Sequence, residues 1–287
     1  MLTAASRCPP KVMQEVAKVV CKHGDFLREN LPLCSNPAEV SKALAASNSW
    51  FVFVNGQSVA VFKLEVSGRI AIVSQFCVSD DSFQAVISGL RVELGAMKIV
   101  TLTSTVPPSE VERWTGLGFR RGFACAKFSR VPTQSNMMPL LPLLNPSQEH
   151  LLTLSQLMYA AYSKTDDGFV DVRAAEESLR AIMSGARGAY LQDASFVSGA
   201  LPNLVSACLV TVDGPAEAKI VQLFTHPLYR ARGLATIEIA AAMNRLCISG
   251  VTTLSAWIRE DNEVVRRLLG NLGFKPEGAL VEMSVAM

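Results

Sequence analysis

Apolar residues recur along this chain with two different periods, and the changes between them lay out two successions of strands and helices. In the C-terminal half, residues 219–224 form a short apolar run with β-branched members. Pro227 cannot donate to a ladder, so this strand ends by about Thr225. From Gly233 the period changes, because residues 234–248 carry apolar positions at helical spacing in an Ala-rich segment. That predicts a helix beginning inside the turn itself. A second apolar strand follows at 251–258. Asn262 is a helix-capping residue type, and Gly273, just before Phe274, suits a left-handed stop, which predicts a short helix between them. Upstream, residues 194–197 and 206–212 read as a hairpin about a turn at 199–203. Residues 151–188 read as two helices, with Leu154, Leu157, Met158 and Ala161 on one face.

The N-terminal half runs in the same order. Residues 50–54 and 58–64 predict a hairpin about an Asn55-Gly56 turn, followed by a strand at 70–78, a helix at 83–95 and a strand at 99–105. Trp114-Thr115-Gly116-Leu117-Gly118-Phe119 echoes Leu269-Gly270-Asn271-Leu272-Gly273-Phe274, so the first half reads as a degraded copy of the second. Between the halves, Pro132, Pro139, Pro142 and Pro146 prevent a continuous helix and mark a linker. Met137, Met138, Leu140, Leu141, Leu143 and Leu144 make it too apolar for a free tether, so part of it is expected to pack as an extended edge against one domain.

The turn between the strand at 219–224 and the next helix carries the chemistry. The first N–H groups of a helix have no partner within it and lie where its dipole is positive. Here they follow Arg230, Ala231, Arg232 and Gly233, so main-chain donors and two cationic side chains gather at one point, an arrangement suited to a pyrophosphate. Gly233 brings no Cβ near such an oxygen, and Ala235 keeps the next turn slim.

Strand, Arg-x-x-Gly-x-Ala loop, helix, strand, Asn-capped helix and Leu-Gly-Phe is an order similar to the acetyl-CoA-binding half of the GNAT-superfamily acyltransferases. The resemblance rests on the segment from Thr225 to Ala235, on Asn262 and on Asn271-Leu272-Gly273-Phe274, and it spans roughly residues 150–287. It implies an α/β (α+β) chain of two GNAT-like domains, each with a mixed, mostly antiparallel central sheet flanked by helices. The implied division is a degenerate domain over 1–130, a linker over 131–149 and an acyl-CoA-binding domain over 150–287. It also implies transfer of an acetyl or short acyl group from CoA to an amine acceptor, a small molecule or a peptide, by direct attack. Leu223, Phe224 and Thr225 would offer backbone groups to the pantetheine arm. Arg230, Ala231, Arg232, Gly233, Leu234 and Ala235 would hold the pyrophosphate, and Asn262 would sit near the thioester.

Two departures bear on the chemistry. Many family members carry in the last helix a Tyr that protonates the departing thiolate, and the matching position here is Leu269. The strand at 219–225 also lacks the Glu that some relatives keep; the nearest carboxylate is Glu217. His226 follows the strand, and turn histidines are more often satisfied by backbone or solvent. No catalytic residue is assigned from the sequence, and an acyl-CoA-binding or sensing protein without turnover is the alternative. Tyr159, Tyr162, Asp166, Asp167 and Asp171 mark a helix-to-loop region that offers carboxylates and aromatic faces to an amine, although singly such residues are more often solvated acids and packing tyrosines, and no acceptor residue is assigned among them. In the first copy, Ser79-Asp80-Asp81-Ser82 replaces the glycine and arginines of the turn, and its carboxylates would repel a pyrophosphate, so that copy is expected not to bind CoA.

Composition narrows the partners. With Lys+Arg 27 against Asp+Glu 25, there is no electrostatic case for nucleic acid or an anionic membrane, and any phosphate site must be local. Hydrophobic residues at 49% provide for two buried cores in 287 residues. The seven cysteines are scattered and the three histidines share no ligand spacing, so reduced thiols and no metal site are expected. No apolar run approaches the ~18 residues of a membrane span, and the N-terminus lacks a charged segment followed by an apolar core; a cytoplasmic location is expected.

Overall fold

The computed structural model describes residues 2–4, 7–12, 14, 16–17, 50–55, 58–67, 69–78, 83–163, 165, 168–212 and 216–287. It divides into two compact units, residues 1–124 with 279–287 and residues 125–278. The units are therefore not the contiguous halves that the apolar pattern suggested. In chain order the elements are β1 (Leu2–Ala4), β2 (Trp50–Asn55), β3 (Ser58–Ser67), β4 (Ile70–Val78), α1 (Phe83–Ala96), β5 (Thr101–Val106), α2 (Val111–Thr115) and β6 (Arg120–Arg130). There follow β7 (Leu143–Leu144), α3 (Leu151–Tyr162), α4 (Val172–Met183), β8 (Ala189–Tyr190), β9 (Phe196–Ala200), β10 (Asn203–Val212) and β11 (Glu217–Thr225). The chain ends with α5 (Leu234–Ile248), β12 (Thr253–Arg259), α6 (Glu263–Asn271) and β13 (Lys275–Ala286).

The first unit has strand order β1-β2-β3-β4-β5-β13, antiparallel except for the parallel pair β4 and β5. Its last strand comes from the chain's end: Val281 to Ala286 pair with Val106 to Thr101, and the buried Val281, Met283 and Val285 alternate as a half-buried strand requires. Helix α1 covers this sheet with Phe83, Val86, Ile87, Leu90 and Leu94, each buried side chain stabilising by about 1.5–3 kcal/mol. Trp114 stands edge-on to Phe83 and Phe119, at 5.2 and 4.8 Å between ring centroids. The Ser79-Asp80-Asp81-Ser82 turn and Gly56 of the Asn-Gly turn lie outside the described residues.

In the second unit β7-β9-β10-β11 are antiparallel neighbours, β11 pairs in parallel with β12, and β12 pairs antiparallel with the end of β6. Strand β10 distributes its side chains between two cores. Cys208 and Val210 face α5 and α6, whereas Ala207 and Leu209 face α3 and α4. Gly199 turns with φ +117°, and a Cβ there would lie 2.5 Å from the Asn203 carbonyl oxygen, so the β9–β10 hairpin admits only glycine at this point. The stretch read as a linker belongs to this unit. Its Pro142 carbonyl accepts from Gly199 N–H at 3.0 Å, β7 extends the β9 edge, and Ser135 and Asn244 exchange hydrogen bonds of 2.6 and 2.9 Å. Among the described residues no helix is long and apolar enough to cross a membrane.

Candidate functional site

The parallel ladder between β11 and β12 is short: Glu217, Ala218 and Lys219 pair with Thr253, Leu254 and Ser255, and then the strands part while β11 runs on to Thr225 and β12 to Arg259. A cavity of about 520 Å³ opens at the end of β11, within the usual range for a small-molecule pocket. Leu223, Phe224, Thr225, Arg230, Ala231, Arg232, Gly233, Leu234, Ala235 and Asn262 all line it, so every position named in the sequence for the acyl carrier meets at one place.

The loop owes its course to a few local bonds. A 3-10 turn over Pro227–Tyr229 follows the strand, and His226 Nδ1 accepts from Leu228 N–H at 3.3 Å. His226 serves as a turn residue and is not among the cavity-lining residues. Arg230 donates from Nη2 to the Ala161 carbonyl at 2.6 Å and from Nε to the Thr225 carbonyl at 3.3 Å. Arg232 donates to the Leu228 carbonyl at 3.1 Å and lies 5.1 Å from the Tyr229 ring centroid. Both arginines thus brace the loop as well as bringing charge to it.

Left-handed backbone at Ala231, φ +57°, and at Gly233, φ +76°, then turns the chain into α5. Among the described residues, the main-chain N–H groups of Ala231, Arg232, Gly233, Leu234, Ala235 and Thr236 find no protein acceptor; the first bonded N–H is that of Ile237, which donates to the Gly233 carbonyl at 3.1 Å. A row of unpaired donors at a helix start, with guanidinium charge alongside, favours an anion.

The opposite wall comes from α6. Asn262 caps this helix, its Oδ1 accepting from Val265 N–H at 3.2 Å, and Val264, Val265 and Leu268 face the cavity. Leu269 does not. It is fully buried with Leu272 and Phe274, as Trp114 is in the first unit, so the echoed position is a core position in both. Gly118 and Gly273, at φ +83° and +78°, end the two short helices alike.

The end of α3 supplies the third side. Tyr162 lines the cavity and donates to Gln222 Oε1 at 3.0 Å. Asp171 caps α4 by accepting from Ala174 N–H at 2.7 Å, Tyr159 packs against the α3 core, and Asp166 and Asp167 lie outside the described residues. Glu217 is engaged at the other end of β11, with Ser255 Oγ at 2.7 Å and Lys127 Nζ at 3.3 Å.

One buried carboxyl was missed in the sequence. Glu238 of α5 is fully buried, its Oε1 accepting from Ser198 Oγ at 2.6 Å and its Oε2 from Ser206 Oγ at 2.9 Å. Burial pushes its pKa up to about 8, although the two serine hydroxyls pull it down. A glutamate inside the apolar run Leu234–Ile248 was the available signal. Cys208 nearby is likewise raised, by burial first and then by the Glu238 charge.

No family model matches the sequence, and no curated protein matches it. Solved structures do match the fold. A GCN5-related N-acetyltransferase from Sphaerobacter thermophilus superposes with TM-score 0.68 at 13% identity, over 100% of this chain and 95% of that one. A tandem GNAT protein from the clavulanic acid biosynthesis pathway gives 0.66 at 16% identity, over 100% and 97%. An acetyltransferase-like protein from Pyrococcus horikoshii gives 0.57 at 12% identity, over 100% and 89%. At these identities the likeness is one of fold: the chain has the fold of a tandem GCN5-related N-acetyltransferase, two GNAT-like domains in one polypeptide.

Proposed function

We propose that this protein moves an acetyl or other short acyl group from coenzyme A to an amine on a small molecule or peptide. The observation that carries the reading is the row of unbonded N–H groups from Ala231 to Thr236, on a cavity opened where β11 leaves β12. That donor set fits a diphosphate, and Leu223, Val265 and Leu268 offer apolar wall to a pantetheine arm. Arg230 to Ala235 would hold the diphosphate, the backbone of Leu223, Phe224 and Thr225 the arm, and Asn262 the acyl end. Acyl-coenzyme A, when bound, would supply a thioester whose carbonyl carbon is open to amines. The chain's part is chiefly to position, which in favourable intramolecular reactions lowers a barrier by about 7–11 kcal/mol. Main-chain N–H groups on the splayed edge of β11 would stabilise negative charge developing on oxygen. With Leu269 in the core, no side chain at that position protonates the leaving sulfur, and a thiol with a pKa of ~8.5 departs as thiolate without one.

Calorimetry with acetyl-CoA tests the binding half. Saturable binding by the wild type and none by Gly233→Glu supports it; no binding, or equal binding by both, rejects it. A second reading, an acyl-CoA sensor without turnover, is favoured by the buried Leu269. Thiol release from acetyl-CoA in the presence of any member of a panel of amines, amino acids, peptides and aminoglycosides excludes it.

A further inference from the structure

Beneath the cavity floor lies a polar chain that nucleotide binding leaves unused. Glu238 Oε2 accepts from Ser206 Oγ at 2.9 Å, Ser206 Oγ lies 2.8 Å from Thr225 Oγ1, and Thr225 lines the cavity. Direction follows from counting protons. When Glu238 is ionised, Ser206 gives its one hydroxyl proton to the carboxylate and its oxygen is left to accept from Thr225, so in that state the hydroxyls point from the cavity towards the carboxyl. Strand pairing holds the chain in place, because Ser206 and Thr225 are direct partners in the β10–β11 ladder. Among the described residues no cation pairs with Glu238. A carboxyl in such a place is costly to bury, and its polar contacts run to Ser198 and, through Ser206, to the cavity.

We infer that Glu238 is the terminal proton acceptor of the acyl transfer, reached from the cavity through Thr225 and Ser206; this rests on the acyl-transfer reading above. As the amine nitrogen bonds to the acyl carbon it gives a proton to Thr225 Oγ1, Thr225 gives its own to Ser206 Oγ, and Ser206 gives its own to Glu238 Oε2. The carbon–sulfur bond breaks with its electron pair on sulfur, and the carboxyl later returns its proton along the same hydroxyls to solvent. A carboxyl held up at about 8 is matched to this task, since a base works best near the working pH. The titratable groups on elements packed against α5 are Cys208 of β10, Glu217 and Lys219 of β11, and Asp193 before β9, which pairs with Arg245 of α5 at 2.6 Å.

The test measures thiol release from acetyl-CoA against pH, with the fastest amine of the panel, for the wild type, Glu238→Gln and Ser206→Ala, with acetyl-CoA affinity measured alongside. The expected result is a fall in kcat of about 100-fold for Glu238→Gln and at least about tenfold for Ser206→Ala, with Kd unchanged. The rise in kcat through pH about 8 disappears in both variants. Should Glu238→Gln fail to fold, Ser206→Ala decides. If the variants keep the wild-type kcat and pH profile, the relay is overturned while acyl transfer stands. If the wild type releases no thiol with any amine, the transfer reading falls, and the relay with it.

Discussion

Arg230 Nη2 donates to the carbonyl oxygen of Ala161 at 2.6 Å and so ties the last turn of α3 to the loop that follows β11. Its Nε meets the Thr225 carbonyl at 3.3 Å, so one planar side chain spans both sides of the cavity mouth. Lysine cannot make that fork. A hydrogen bond from a charged group contributes about 1.5–3 kcal/mol, so Arg230→Lys should weaken acetyl-CoA binding by about tenfold or more in calorimetry, although the charge is kept.

Gly233 stands at φ +76° with open space where a Cβ would go. Gly233→Ala should therefore cost only about 1–2 kcal/mol, read as a lower denaturant midpoint, because the penalty is conformational and without a clash. Acetyl-CoA affinity should fall further than stability, since the methyl group sits beside the unpaired N–H row.

Leu269 is wholly enclosed with Leu272 and Phe274. Leu269→Tyr should overpack this core and lower stability by about 1–3 kcal/mol in denaturant titration. Its hydroxyl would have to emerge from the core or remain unsatisfied there, so the fall in stability should accompany the substitution even if acetyl-CoA still binds.

Glu238 makes stability depend on pH. Its pKa rises from 4.5 to about 8 on folding, so between those values the unfolded chain has lost a proton that the folded chain retains. Stability from this group is full below about 4.5, falls as pH rises towards 8 and is level above it. Glu238→Gln should remove that slope, and the wild type should lose on the order of a few kcal/mol relative to the variant between pH 5 and 8, measured by denaturant unfolding.

Much of the second unit was legible because its signals are local. The apolar run of β11, Pro227 after it, the left-handed Gly233 and the Asn262 cap each specify backbone within a few residues, and the positions they mark line one cavity. The role of Arg230 was half legible. Its charge shows in the sequence, but its acceptor at Ala161 is 69 positions away and becomes a neighbour only when α3 packs on the sheet. The final strand was legible but unread, since residues 281–285 alternate as β13 requires.

By itself the amino-acid order determined which segments are strands, which are helices, and that one turn exposes a run of main-chain donors, because propensity, capping and glycine conformation act over short distances. Only the tertiary structure decided that the chain's end completes the first unit's sheet, that Leu269 belongs to a core and that Glu238 reaches Thr225 through a serine. Those relations join residues far apart in sequence, and packing, which no local period encodes, brings them within hydrogen-bond reach.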